Sequence, residues 1–326
     1  MLEHALHFAP FLKSVIWGGD RIAPYKGITT DQDSIGESWE ISAVPGHVSV
    51  VDRGPHAGKA LDDLIAEHGA ELVGEEIYRR FGKNFPLLIK IIDARADLSV
   101  QVHPDDALAE KRHHCPGKTE MWNIIETAPD AKIYVGLKDS ITPDEYERRV
   151  ADNSIMDVIA SYNSAPGDTF FLPAGRIHAI GAGNLLAEIQ ETSDITYRIY
   201  DYDRRDKDGK PRQLHTAEAR DAIDYSVHSD YRSKPEGSLL ADCSHFIVRN
   251  FEFGETASAI GLPRDRESFT ILMCLKGEAE VKYSCEKEGA TRHSQHIAQG
   301  ETWLFPATVR SIEVSGSDAR ILTAQA

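Results

Sequence analysis

Cysteine is scarce. Cys115, Cys243, Cys274 and Cys285 are too few to staple 326 residues, and none stands in a CxxC spacing. They read as reduced thiols, which points to a cytoplasmic protein. Positive charge is also short: 36 Lys and Arg against 52 Asp and Glu give a formal charge of -16 and a pI of about 5.3. Such a chain has no general field to draw in nucleic acid or anionic lipid. An anionic substrate would need cations concentrated in its own site. Long apolar runs are missing too, and none approaches a membrane span. The start, MLEHALHFAPFLKSVIW, carries acidic and histidine residues where a signal peptide needs a cationic end and an unbroken apolar stretch. Neither nucleic acid nor membrane is therefore expected as a partner, and monomer and homodimer both stay open.

What is present is an ordinary globular composition, 41% hydrophobic and 27% charged, long enough for two domains. Helical spacing is clearest from Ala60 to Gly82, again from Thr142 to Tyr162, and from Thr216 to Tyr225. Most of the remainder is short strand-like runs between Gly, Pro, Asp and Asn, among them FPLLIKIID, MWNIIET, KIYVGL, DTFFLPAG and SFTILMCLKG. Clustered helices with many strands argue against a doubly wound parallel sheet and for a mainly β sandwich or barrel. One repeat is visible. GDTFFLPAG from Gly167 and GETWLFPAT from Gly300 share Gly, acid, Thr, aromatic, two apolar residues, Pro and Ala, so two copies of one β-module are expected. Five places after Pro173 stands His178; five after Pro306 stands Ser311. The polar stretch from His228 to Ser238 is the expected boundary, giving units 1–235 and 236–326.

In LSVQVHPDD, Leu98, Val100 and Val102 alternate with Ser99, Gln101 and His103. A strand would send the three aliphatics one way and the polar residues the other. Alone, a polar strand face is usually just the wet side. Gln101 and His103 become half of a metal site if Glu120 in GKTEMW and His178 in LPAGRIHAI join them. Two nitrogen and two oxygen donors suit zinc, and would also hold manganese, iron or cobalt. His113, His114 and His215 sit in polar surroundings and carry no assignment. Trp17, Trp39 and Trp122 read as core or as the wall of a ligand pocket. The charged run from Tyr200 to Arg212 reads as solvated surface, with a pocket lid as the alternative.

Four stretches, LSVQVHPDD, GKTEMW, FFLPAGRIHAIGAGNLLAEIQETSDITYRIYDYDR and GESWEIS, together resemble the type I mannose-6-phosphate isomerases in their short bacterial form. The likeness runs from about Trp17 to the C-terminus. It implies two cupin-like jelly-roll β-barrel modules, with helices added to the N-terminal one and no metal in the C-terminal one. It also implies one Zn2+ per chain on His103, Glu120 and His178, with Gln101 as fourth ligand. An active-site arginine falls on Arg198, pocket lysines on Lys90 and Lys118, and a carboxylate on Glu188. The implied reaction interconverts mannose 6-phosphate and fructose 6-phosphate by proton transfer through an enediolate. Chemically, Arg198 suits a developing oxyanion, Glu188 a base, and Lys90, Lys118 and Arg198 a phosphorylated hexose. Glu188 and Arg198 are ten residues apart around ETSD, a spacing that suits a pair of antiparallel strands. A non-catalytic sugar-phosphate-binding cupin and a metal-dependent cupin oxygenase are the competing readings. Neither calls for the complete ligand set together with Lys118 and Arg198.

Overall fold

In the computed structural model, residues 2–205, 209–285 and 293–326 are described. The protein is mainly β, and its named strands pair antiparallel in four sheets. A six-stranded sheet runs in the order Phe11–Gly19, Ile35–Ile41, Leu87–Asp93, Asn184–Glu191, Glu120–Thr127, Thr169–Leu172. It packs on a five-stranded sheet in the order Tyr197–Tyr200, Val100–Val102, His178–Ile180, Lys132–Leu137, Ile159–Asn163. Ile92, Trp122, Ile124 and Leu186 of the first meet Ile133, Val135 and Ile180 of the second in one buried cluster. In the C-terminal part, a second six-stranded sheet, which includes Thr270–Lys276, Thr302–Phe305 and Ala319–Gln325, packs on a four-stranded one that includes Glu278–Ser284 and Ser311–Gly316. The strand Leu6–His7 pairs with Thr302–Phe305, so the start of the chain joins the C-terminal sheet. Among the described residues, no helix is long and apolar enough to cross a membrane.

The repeat is realised as equivalent strands. Gly167 and Gly300 both turn with positive φ, at 91° and 80°, a conformation that glycine adopts without steric cost. Each leads into a strand, Thr169–Leu172 or Thr302–Phe305, of its own six-stranded sheet. His178 and Ser311 then open the next strands, His178–Ile180 and Ser311–Gly316, in the opposing sheets.

Two helical expectations need correcting. The stretch from Ala60 to Gly82 is three short helices, Leu61–His68, Ala70–Val73 and Glu75–Phe81, interrupted at Gly69 and Gly74. Gly74 has φ of 96°, and a Cβ there would lie 2.2 Å from the Glu267 carbonyl oxygen. The break lets the helical layer touch the C-terminal part. Leu61, Leu64, Ile65 and Leu72 then fill a core shared by the outer faces of both six-stranded sheets, against Ile89, Leu185, Ile271 and Leu322. The stretch from Thr142 starts as expected, with Thr142 Oγ1 accepting from the Glu145 amide at 3.1 Å. Its helix stops at Ala151, however, and a 3-10 turn leads into the strand Ile159–Asn163. Asn153, with φ of 60°, turns the chain out of the helix, and edge pairing with Lys132–Leu137 takes up the segment.

Candidate metal centre and active-site cavity

Strand alternation puts a polar end on an otherwise apolar interior. Lys90 pairs with Glu188, and Glu188 pairs with Trp122, across three adjacent strands. On the facing sheet Arg198 pairs with Gln101, and Gln101 with His178. Residues opposite one another share a face, so these side chains face the gap between the sheets, where Ile92, Ile124, Leu186 and Ile180 form the dry end. Val100 and Val102 turn outward into a cluster with Tyr146, Tyr197 and Ile199. Leu98 does not follow them. It precedes the strand Val100–Val102 and packs inside beside Trp17 and Trp122.

His103, Glu120 and His178 are buried and their ligand-type atoms lie within 4.8 Å of one another. His178 Nε2 is 3.2 Å from Glu120 Oε1, and His103 Nε2 is 3.5 Å from Glu120 Oε2. Both imidazoles are oriented from behind. His103 Nδ1 donates to the Ile195 carbonyl and His178 Nδ1 to the Arg176 carbonyl, each at 2.8 Å. With Nδ1 protonated, each Nε2 turns a lone pair on the same point, the arrangement that fixes metal-ligating histidines. The Gln101 amide lies 3.2 Å from His178 Nε2. A half-turn of that amide offers its oxygen as a fourth donor. Lys118 Nζ lies between two of these residues, 2.6 Å from Glu120 Oε2 and 2.9 Å from His103 Nε2.

The donor set fits a divalent cation on two independent observations. Glu120 Oε1 is buried without a hydrogen-bond partner, which is costly unless a cation or donor joins it. Both histidines are also held neutral. Burial first, and then the Lys118 charge, lowers His103 well below its ordinary value and His178 to about 3. Burial raises Glu120 to about 7, against the pull of Lys118. Below that value Glu120 must release a proton to bind a cation, while the histidines release none. Metal affinity is therefore expected to fall about tenfold per pH unit below about pH 7 and to level off above it. Chelator competition across that range measures the slope. A loss of about a hundredfold or more per unit would mean that a histidine titrates as well.

Next to the His103, Glu120, His178 group lies a carboxylate held on two sides. Glu188 Oε1 accepts from Lys90 Nζ at 2.9 Å and Oε2 from Trp122 Nε1 at 2.8 Å. Burial opposes its charge, but Lys90 and Lys118 outweigh burial and leave its pKa lowered. Lys90 is buried as well, 3.9 Å from Glu37 Oε2 and 5.3 Å from the centre of the Trp39 ring. Arg198 stands at the rim. Its Nε donates to Ser99 Oγ at 3.3 Å and its Nη1 to the Gln213 carbonyl at 3.1 Å. Glu37, Lys90, Ser99, Lys118, Glu188 and Arg198 line a cavity of about 450 Å3, within the range of small-molecule sites.

Lys90, Gln101, Lys118, Glu188 and Arg198 all line this cavity, and His103, Glu120 and His178 lie beneath it. Glu188 and Arg198 are not on paired strands, contrary to the spacing argument. Asn184–Glu191 and Tyr197–Tyr200 belong to different sheets, so the two side chains face each other across the gap. Trp122 is fully buried, while Trp17 lines the cavity. Sequence reasoning missed Lys13, Glu37, Arg212 and His215, which line it too. Glu37 was visible as the first of the two acids in GESWEIS. Arg212 was hidden in a charged run that reads as surface, of which residues 206–208 lie outside the described residues. His215 serves by local backbone bonds, accepting from the Arg198 amide at 3.1 Å.

Two packed β-sheets around a buried His, Glu, His group that could hold a metal ion, with lysines and an arginine at its mouth, define a β-sandwich with a site of the enzymatic kind. Comparison with known proteins gives the family. The model for "Phosphomannose isomerase type I, catalytic domain" matches residues 6–130. The mannose-6-phosphate isomerase ManA of Bacillus subtilis is 35% identical over 289 residues, 86% of this chain and 88% of its own. The mannose-6-phosphate isomerase of Streptococcus mutans is 32% identical over 92% of both chains. The crystal structure of a mannose 6-phosphate isomerase from Bacillus subtilis superposes with a TM-score of 0.84 at 29% identity, covering 99% of each chain. The chain belongs to the type I phosphomannose isomerase family.

Proposed function

We propose that the protein is a zinc-dependent aldose-ketose isomerase that interconverts mannose 6-phosphate and fructose 6-phosphate in the cytoplasm. The observation that carries this is the His103, Glu120, His178 group joined through Lys118 to a cavity lined by Glu188, Lys90, Lys118 and Arg198 in an acidic protein. A divalent cation held by His103, Glu120, His178 and Gln101 supplies Lewis-acid polarisation of sugar oxygens. Two nitrogens and two oxygens in a tight buried set favour zinc, one ion per chain.

The chain's own groups do the rest. Glu188 is kept ionised by Lys90 and Trp122, so it can take the C2 proton of the open-chain aldose and return it to C1. The electron pair left at C2 forms the C1–C2 double bond of the enediolate and places negative charge on O1. The O2 hydroxyl proton passes to O1, and O2 then becomes the carbonyl as the proton is delivered to C1, which gives the ketose. Arg198 faces the developing oxyanion, and its planar fork can bond two oxygens. A lowered pKa makes Glu188 a weak base, so acidification of the substrate must carry much of the barrier. Lys90, Lys118 and Arg198 supply the positive charge that the chain at large lacks, and thereby bind the phosphorylated sugar.

A coupled assay for fructose 6-phosphate, with and without chelator, tests the proposal. Turnover that stops on chelation and returns with zinc is expected. Binding of mannose 6-phosphate by metal-replete protein without turnover would instead make it a sugar-phosphate-binding protein. Unphosphorylated mannose is expected to react with a kcat/KM lower by at least about 10²-fold, since binding to remote groups is spent on the transition state. Similar efficiency for both sugars would remove the phosphate from the argument.

A further inference from the structure

The C-terminal sheets contribute no member of the His103, Glu120, His178 group, yet they reach the segment beside it. His245 follows the strand Leu239–Asp242 in a turn closed by the Cys243 amide donating to the Phe246 carbonyl at 3.0 Å. His245 Nδ1 lies 2.9 Å from Glu191 Oε1. Glu191 is buried at the end of the strand that carries Glu188. Its other oxygen, Oε2, accepts from the Thr119 amide at 2.7 Å, and the Glu191 amide donates to the Thr119 carbonyl at 3.1 Å. Thr119 stands between Lys118 and Glu120. Asp106 comes within 4.8 Å of the same group, and its Oδ1 accepts from the Gly117 amide at 2.9 Å. These acids are occupied by backbone amides on both sides of Lys118, so the cluster is a brace and not a second metal site.

We propose that His245 is a positioning residue: by donating to Glu191 it fixes the carboxylate that holds the Lys118–Glu120 segment, and so lets the C-terminal part set the geometry of the metal centre. Without that donor, one oxygen of a buried carboxylate has no partner. The side chain can then swing toward the neighbouring cavity, lined by Phe85, Pro116, Glu191 and His245, and release the Thr119 amide. Outer partners of metal ligands commonly change metal affinity by 10–100-fold. The inference rests on the proposal that Glu120 binds the metal, but its test does not need the sugar.

Zinc affinity of the full chain, measured by chelator competition, is the decisive quantity. His245→Ala is expected to bind zinc about tenfold more weakly. His245→Gln, whose amide can donate to Glu191, should recover most of that loss. His245→Phe fills the space without a donor and carries the test should the alanine variant fail to fold. Arg80→Ala removes a contact at the same junction, Arg80 Nη1 to the Ser244 carbonyl at 3.3 Å, and should leave zinc affinity unchanged. Affinities of His245→Ala or His245→Phe within about twofold of the unsubstituted chain would overturn the proposal. So would an equal loss in Arg80→Ala, which would mean general loosening. An unsubstituted chain without isomerase activity would count against the proposed function and leave the zinc comparison standing.

Discussion

Glu188→Gln should lower kcat by about 10²- to 10⁴-fold, the usual span for removing a positioned general base, while the metal stays bound. The substitution is nearly isosteric. The glutamine oxygen can still accept from Trp122 Nε1, now at 2.8 Å from Glu188 Oε2. Its NH2 group, however, would face Lys90 Nζ, which gives up a partner at 2.9 Å. Lys90 then keeps its charge in a buried site with Glu37 3.9 Å away. Breaking one side of a buried ion pair costs about 3–5 kcal/mol, so the variant should also melt early. Catalysis and stability separate in the double variant Lys90→Met, Glu188→Gln. It replaces the orphaned ammonium by an apolar side chain and should regain much of the stability while staying inactive. Thermal melting and steady-state kinetics on metal-replete protein check both halves. A Glu188→Gln enzyme with kcat within a few fold of the unsubstituted one would remove Glu188 from the proton transfer.

The same interactions make acid stability depend on this carboxylate. Its pKa is lowered in the folded protein, so the unfolded chain binds its proton first as the pH falls. The stabilisation is fully present above the ordinary glutamate range and disappears as pH drops through the folded value. The pull of Lys90 on Glu188 therefore stabilises the fold at neutral pH and loses its effect only in strong acid. Melting temperature against pH should show this as a smaller acid-side decline in the Lys90→Met, Glu188→Gln variant.

What could be read from sequence follows the range of the interactions involved. Alternation along Gln101 and His103 is local, and it oriented both side chains correctly because Val100 and Val102 needed the opposite, apolar side. Leu98 broke the pattern because the strand had not yet begun. The repeat at Gly167 and Gly300 was legible because a positive-φ turn restricts residue choice wherever it recurs. Partnership across the sheets was not legible. Glu188 and Arg198 look like two arms of a hairpin, but the chain crosses between sheets in the residues that separate them. The three-helix break was missed because apolar spacing continues through Gly69 and Gly74, and only the approach of Glu267 explains why the second is open. His245 was invisible for the same reason, as its partner lies 54 positions back in sequence.

Arg198→Ala should reduce kcat by about 10²-fold or more with the metal retained, as for loss of an oxyanion donor. The alternative that Arg198 is merely one half of a structural ion pair has to contend with its neighbours. Asp201 is already bound by Arg204 Nη2 at 2.5 Å and by Arg212 Nε at 2.7 Å. Arg198 instead spends its donors on Ser99 Oγ and the Gln213 carbonyl, neutral groups that aim the guanidinium without neutralising it. Burial first, and then the charge of Arg212, lowers its pKa, so the site gathers like charge where an anion would relieve it. If Arg198 met the phosphate only, its loss would appear chiefly as a raised KM. If it meets charge that exists only in the transition state, kcat and kcat/KM fall together. Arg198→Lys keeps the charge and loses the planar two-point donor, and should restore only part of the rate. Steady-state kinetics on folded, metal-replete Arg198→Ala decides between these roles, and a kcat within a few fold of the unsubstituted enzyme would exclude the transition-state one.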